Sequence, residues 1–224
     1  MTGRIDIVVQ SKYPEILDRF KKSFYETTEQ FKNLKLHVFP PDMFGAKEIN
    51  KKLIEIIKSG SEVFGVFNDD VKFSYQWLED SMKHLKDFSC VSPGYIETTD
   101  KDKFFRAIAL TSKIEGTVPN FYGPVALWNT WVFKRIGIFD ERFDWSCDDL
   151  DWAWRLKLNG MPSATSKRIT VMHEVGATRK KEVKKWNSIW KQNKQRFYDK
   201  HGYTSYRDIR SEYLTHHSYF SKFR

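Results

Sequence analysis

Cysteine is scarce in this chain. Two residues in 224, Cys90 and Cys147, are too few for a disulfide framework, and neither stands in metal-ligand spacing or beside a histidine. A reducing, cytoplasmic setting is expected. Long apolar runs are missing too: no window approaches the roughly 18 uninterrupted apolar residues of a membrane span, and the first ten residues hold only a short apolar stretch before Ser11 and Lys12. Neither a membrane span nor a secretory signal is therefore expected. Internal repeats and low-complexity tracts are also absent. What is abundant is core material: 40% hydrophobic and 16% aromatic residues suffice for one sizeable domain.

Charge is unevenly placed. Residues 167–224 hold 15 Lys/Arg against 5 Asp/Glu, a net +10, while the other 166 residues hold 23 against 24, a net −1. We therefore expect a nearly neutral main domain over residues 1–178 and a basic, aromatic, helical extension over 179–224 packed on it. An anionic partner should meet that extension.

The first half alternates strand and helix, the rhythm of an α/β fold with a mainly parallel sheet. Apolar runs Ile5–Val9 and Leu34–Phe39 predict strands, Pro14 suits the first turn of a helix, and Ala46–Lys58 predicts a second helix ended by Gly60. Val63–Phe67 is nearly all apolar, as a strand buried on both faces must be. Asn68-Asp69-Asp70 follows at once, and Ser74 is expected to open a helix carrying Trp77, Leu78, Met82 and Leu85. Cys90–Ser92 and Phe104–Leu110 read as strands, and Glu115–Pro124 as a loop. Thr130 is expected to cap a short helix ending near Gly137, Asp148 to open one reaching Gly160, and Ile169–Val171 to form a short strand delivering His173. A cationic helix spans about Lys180 to Lys200, its stripe of Val183, Trp186, Trp190 and Phe197 expected in the core.

Five groups can carry chemistry or binding, and most have a plainer reading beside them. Asn68-Asp69-Asp70 offers hard oxygen ligands suited to Mg²⁺ or Mn²⁺ shared with substrate phosphates, or simply a solvated turn at a strand tip. Such tips are where open α/β sheets bind ligands. Asp148 and Asp149 at a helix start can take a proton from a hydroxyl, or merely complement the helix dipole, while Asp151 and Arg155 are spaced to pair. His173 can add a nitrogen ligand to an oxygen-rich site, or be an ordinary histidine. Arg179 and Lys180 can meet phosphate, or be a solvated helix start. The basic C-terminal section, with tyrosines and phenylalanines interspersed from Tyr203 to Phe223, suits a nucleic-acid backbone or an anionic membrane surface.

Taken in order, these segments resemble the GT-A glycosyltransferases of the inverting family 2, particularly its rhamnosyltransferase-like branch, over roughly residues 4–180. Phe67-Asn68-Asp69-Asp70-Val71 resembles the family's strand-terminal metal motif, followed by the Trp77-Leu78 pair. Gly123-Pro124-Val125-Ala126-Leu127 is similar to its acceptor loop, and Ile136–Phe143 to its Gly-x-Phe-Asp-Glu-x-Phe segment. Asp148-Asp149-Leu150-Asp151-Trp152-Ala153-Trp154-Arg155 resembles its Glu-Asp-x-Asp-x-x-x-Arg stretch, and Val171-Met172-His173 its closing strand. Two departures stand out: Asp148 replaces the usual Glu, and the first strand ends Val9-Gln10-Ser11-Lys12.

The resemblance implies a GT-A, Rossmann-like fold with Asp149 as catalytic base and Asp70 and His173 holding Mn²⁺ or Mg²⁺. It implies donor contacts from Gln10, Ser11, Asp42, Asn50, Asn68, Asp69, Arg179 and Lys180, and acceptor contacts from Gly123, Asp148 and Trp154. The donor is then a nucleotide sugar, a UDP-sugar favoured. The basic extension makes a hydroxymethylated base in DNA the first acceptor reading, as for phage-encoded enzymes acting in the host cytoplasm, with surface polysaccharide or glycolipid synthesis as the alternative. A metal-dependent nuclease and a noncatalytic nucleic-acid-binding module are the readings from other classes.

Overall fold

A computed structural model of the chain describes residues 3–41, 43, 45–119, 124–143, 146–174 and 183–202. Asp42, Gly123, Arg179 and Lys180, expected at the donor or acceptor, lie outside the described residues, as do Tyr203 to Phe223. The elements are β1 (Ile5–Gln10), α1 (Pro14–Thr28), β2 (Leu34–Phe39), α2 (Ala46–Lys58), β3 (Val63–Phe67), β4 (Val71–Phe73), α3 (Trp77–His84) and β5 (Cys90–Glu97). Then come α4 (Lys101–Thr111), β6 (Thr117–Pro119), β7 (Val125–Asn129), α5 (Trp131–Ile136), α6 (Asp148–Leu158), β8 (Ser163–His173) and α7 (Val183–His201).

The strands form one sheet in the order β2-β1-β3-β7-β5-β8-β4, with β6 also on β8. β1, β2, β3, β5 and β8 run one way, while β4, β6 and β7 run the other. The tips of β1, β3 and β8 therefore share one edge. Side chains alternate across the sheet, so β3 feeds both faces. Phe67 packs with Phe20 and Phe24 of α1, Phe73 and Trp77, while Phe64 packs with Trp128, Phe133 and Trp152. Gly65 sits where a Cβ would lie 2.9 Å from a Leu127 methyl, so a side chain there would force the Leu127 side chain to shift. Asp6, the one charge in β1, is fully buried, paired with Arg4 at 2.5 Å and within hydrogen-bond distance of His37 of β2 at 2.6 Å.

Four sequence expectations change. Phe104–Leu110 is helical: the Asp100 carboxylate accepts from the N–H groups of Asp102 and Lys103 (2.9 and 3.2 Å), and Phe104, Ala107 and Thr111 line the buried face at helical spacing. The acidic tip of β3 leads first into the short strand β4, and the next helix starts at Trp77, with Gln76 in the left-handed region before it. Thr130 precedes α5 but does not cap it, because its hydroxyl donates to the carbonyls of Ser61 (2.6 Å) and Glu62 (3.2 Å). On α7, Phe197 is buried but Trp190 is 36% exposed and stacks on Trp186 at 5.9 Å. The aromatic stripe thus enters the core only in its C-terminal half.

Candidate active site

At the shared edge, the chain leaves β3 as Asn68-Asp69-Asp70. The Asn68 N–H donates to the Pro124 carbonyl at 2.8 Å, tying this turn to the start of β7. Asp69 and Asp70 are only 7% and 8% exposed. Asp69 accepts from the Ser11 hydroxyl at 2.5 Å, joining the tips of β1 and β3. Asp70 turns towards β8: its Oδ1 lies 3.2 Å from His173 Nε2, and the Asn68 amide nitrogen lies 3.4 Å from the same ring atom. Antiparallel pairing of β4 with β8, Val71 opposite His173, aligns the two stretches. The other ring nitrogen of His173, Nδ1, is buried with no hydrogen-bond partner.

A hard carboxylate oxygen and an imidazole nitrogen on one spot form a donor pair suited to Mn²⁺ or Mg²⁺. Among the described residues, no group of three or more His, Cys, Asp or Glu side chains is arranged to cage a metal. Two protein ligands fit an ion that takes its remaining ligands from water and substrate phosphate, as Mg²⁺ commonly does.

Beside Ser11 opens a cavity of about 410 Å³ between α1 and the tip of β2. Pro14, Leu17, Asp18 and Lys21 form one wall and Phe39, Pro40 and Pro41 another, giving apolar surface with one carboxylate and one ammonium. Asp18 and Lys21 were missed from the sequence. Their signal was the spacing Pro14, Leu17, Asp18, Lys21, one stripe of a helix that begins at a strand tip. Gln10 pairs its side-chain amide with the backbone of Gly45 (3.3 Å each way), bracing β1 against the start of α2. Asn50 is 1% exposed and spends its amide on the backbone of Phe139, donating at 2.8 Å and accepting at 3.0 Å. Asn50 thus ties α2 to the segment before α6, its amide nitrogen also lying 3.2 Å from the Glu141 carboxylate.

The second acidic group opens α6. Cys147 precedes it with φ +66°, and its thiol is pushed up to about 12, by burial first and by the charge of Asp149 second, so it stays protonated. Asp148 and Asp149 are half-buried in the first turn, and Asp149 Oδ1 accepts from the Leu150 N–H at 2.6 Å. Asp151 is completely buried. Arg155 pairs with it at 3.1 Å as the spacing predicted, and α7 adds Lys200 at 2.7 Å and His201 at 2.8 Å. Lys200 also reaches Asp140 (2.8 Å), Arg196 donates to the Arg142 carbonyl (2.7 Å) and Asn193 to the Ser146 carbonyl (2.9 Å). Part of the basic extension therefore meets the chain's own acidic segment. Trp154, expected at the acceptor, is 3% exposed and packs edge-on against Phe197. It is a packing residue under α7.

Burial alone would raise the Asp151 carboxyl, but hydrogen bonds from His201 and Lys200 and the charge of Arg155 outweigh it and hold the pKa low. A depressed folded-state pKa gives stability that is present above the unfolded carboxylate value, about 3.9, and is lost as pH falls through the lower folded value. The gap in melting temperature between wild type and Lys200→Met should hold from pH 8 to 5 and narrow below about pH 4. A gap unchanged at pH 3 would contradict this origin.

No protein-family model matches the chain, and no curated protein matches it. Among solved structures it is similar to GalNAc-T7 determined with UDP, GalNAc and Mn²⁺, with a TM-score of 0.56 and 11% identity over 76% of this chain and 44% of that one. It is likewise similar to residues 1–349 of S. aureus TarS, with a TM-score of 0.51 and 13% identity over 76% of this chain and 60% of that one. The chain thus spans less than two thirds of either, and likeness at this identity concerns the fold alone. With its mixed sheet, helices on both faces and these neighbours, the chain has the GT-A fold.

Proposed function

We propose that the chain is a glycosyltransferase that takes a sugar from a nucleoside-diphosphate donor, a UDP-sugar favoured, and passes it to an acceptor hydroxyl with inversion. The observation that carries this reading is the meeting of Asp70 and His173, 3.2 Å apart, at the shared edge of β3 and β8. In an open α/β sheet that edge is the ligand crevice. The cavity beside Ser11 suits the flat, largely apolar body of a nucleobase, with Asp18 as hydrogen-bond acceptor. The solved neighbour holding UDP and Mn²⁺ supports the same assignment.

Asp70 and His173 would hold Mn²⁺ or Mg²⁺, which when bound supplies positive charge against a diphosphate leaving group. Asp69, fixed by Ser11, and Asn68 line the donor side. Asp149, kept in the first turn of α6 by the Leu150 N–H, takes the proton of the attacking hydroxyl as base, and Asp148 stands beside it on the acceptor side. Membership of the family 2 branch is the finer part of the proposal and rests on the segment order from Phe67 to His173. A DNA base as acceptor rests on the charge of residues 167–224, of which Arg196 and Lys200 serve the contact with residues 140–151. Lys191 is exposed on α7, on the side of the chain that an anionic acceptor, DNA or a glycolipid surface, would meet.

Asp70→Ala should weaken Mn²⁺-dependent UDP binding about tenfold or more, measured by isothermal titration, with metal-free binding unchanged. Equal metal-dependent binding by the variant and the wild type would remove Asp70 from the site.

A further inference from the structure

Asp70 and His173 belong to separate stretches of chain, and pairing of β4 with β8 aligns only their backbones. A closer tie is present next door. The Glu174 N–H donates to the Asp70 carbonyl at 2.8 Å, and the Glu174 side chain, 10% exposed, is gripped from two elements. Oε2 takes Arg19 of α1 at 2.8 Å, and Oε1 takes the Lys72 ammonium of β4. Both carboxylate oxygens thus meet cations, so Glu174 is not arranged as a metal ligand. One carboxylate instead joins α1, β4 and the end of β8, standing one residue beyond His173 and holding Lys72, two residues beyond Asp70.

We infer that Glu174 is a positioning residue for the Asp70–His173 pair, acting through Arg19 and Lys72. This rests on the reading of that pair as a metal site. Two effects run together. The clamp prevents the β4 edge from sliding along β8 and separating the two ligands. Its negative charge also offsets one of two cations, which would otherwise stand as a net +2 beside a bound divalent ion. Groups that orient metal ligands without touching the metal commonly cost 10–100-fold in affinity when lost. The sequence carried a faint signal, an acid directly after a strand-terminal histidine, but Arg19 lies 155 residues away and its approach is fixed only by the fold.

The test is titration of Mn²⁺ into the full chain, followed by the electron paramagnetic resonance of the free ion, with UDP titrated in parallel without metal. Glu174→Gln should raise the Mn²⁺ Kd about tenfold while metal-free UDP binding stays at wild-type strength. Arg19→Gln, at a half-exposed side chain and so safe for folding, should give a smaller loss in the same direction. Wild-type Mn²⁺ affinity in both variants would overturn the inference while leaving the metal site standing. Parallel loss of Mn²⁺ and metal-free UDP binding would also overturn it, in favour of a general structural role. A wild-type chain that takes up no Mn²⁺, with or without UDP, would overturn the metal site itself and this inference with it.

Discussion

Asp149→Asn is expected to lower sugar transfer about a thousandfold while leaving UDP and Mn²⁺ binding at wild-type strength. The asymmetry follows from position. Asp149 lies in the first turn of α6, whereas Asp70 and His173 lie at the tips of β3 and β8. An amide keeps the size of the carboxylate and can still accept from the Leu150 N–H, so the turn should persist. What it cannot do is take a proton at neutral pH. Single-turnover transfer beside calorimetric donor binding separates the two, and a variant retaining a tenth or more of wild-type transfer would rule Asp149 out as base.

Asp151→Ala should destabilise the chain by about 3–5 kcal/mol, the usual cost of removing one partner from a buried ion cluster. Two cations, Arg155 and Lys200, and the His201 ring converge on this carboxylate, and its loss leaves them facing one another without their common partner. Arg155 also donates to the carbonyls of Ile136 and Ile138, so the segment between α5 and α6 should loosen with it. For a chain of this length that cost lowers the melting temperature on the order of 10 °C. Proteolysis should then cut first within α7, which the cluster holds down. A stability loss under about 1 kcal/mol would mean that the other contacts of α7, Phe197 on Trp154 and Asn193 on Ser146 among them, hold it in place without the cluster.

These two residues sit two positions apart in one acidic run, and sequence could separate them only in part. Spacing gave the Asp151–Arg155 pair because both partners lie on one helix. Lys200 and His201 approach from α7, some 50 residues on, and nothing local announces them. The same division runs through the fold. β1, β2, α2 and β3 were legible because each buries a simple periodic pattern, with boundaries within a residue of those observed. α4 was misread because Phe104-Phe105 and Ile108–Leu110 look like a continuous apolar run. Only Phe104, Ala107, Thr111 and, in part, Ile108 face the core, and Phe105 and Leu110 are 62% and 61% exposed. β4 was missed because three residues carry no periodicity, and its strand character comes from β8.

At the candidate site, the acidic turn after β3 was visible as a change of composition. Its closeness to His173 depends on a sheet that sets β8 beside β4, a pairing made across about a hundred residues. Asn50 was expected as a donor contact from a loosely matching segment; its buried amide finds its partners at Phe139 and Glu141, about 90 residues on, which no local pattern announces.

The measurement closest to the centre of this account is calorimetric titration of UDP into the wild-type chain with and without Mn²⁺. Metal-dependent binding, lost in Asp70→Ala, is the predicted result. UDP that binds equally well with Mn²⁺ and with chelator, or fails to bind at all, would contradict a nucleotide-sugar site built on Asp70 and His173.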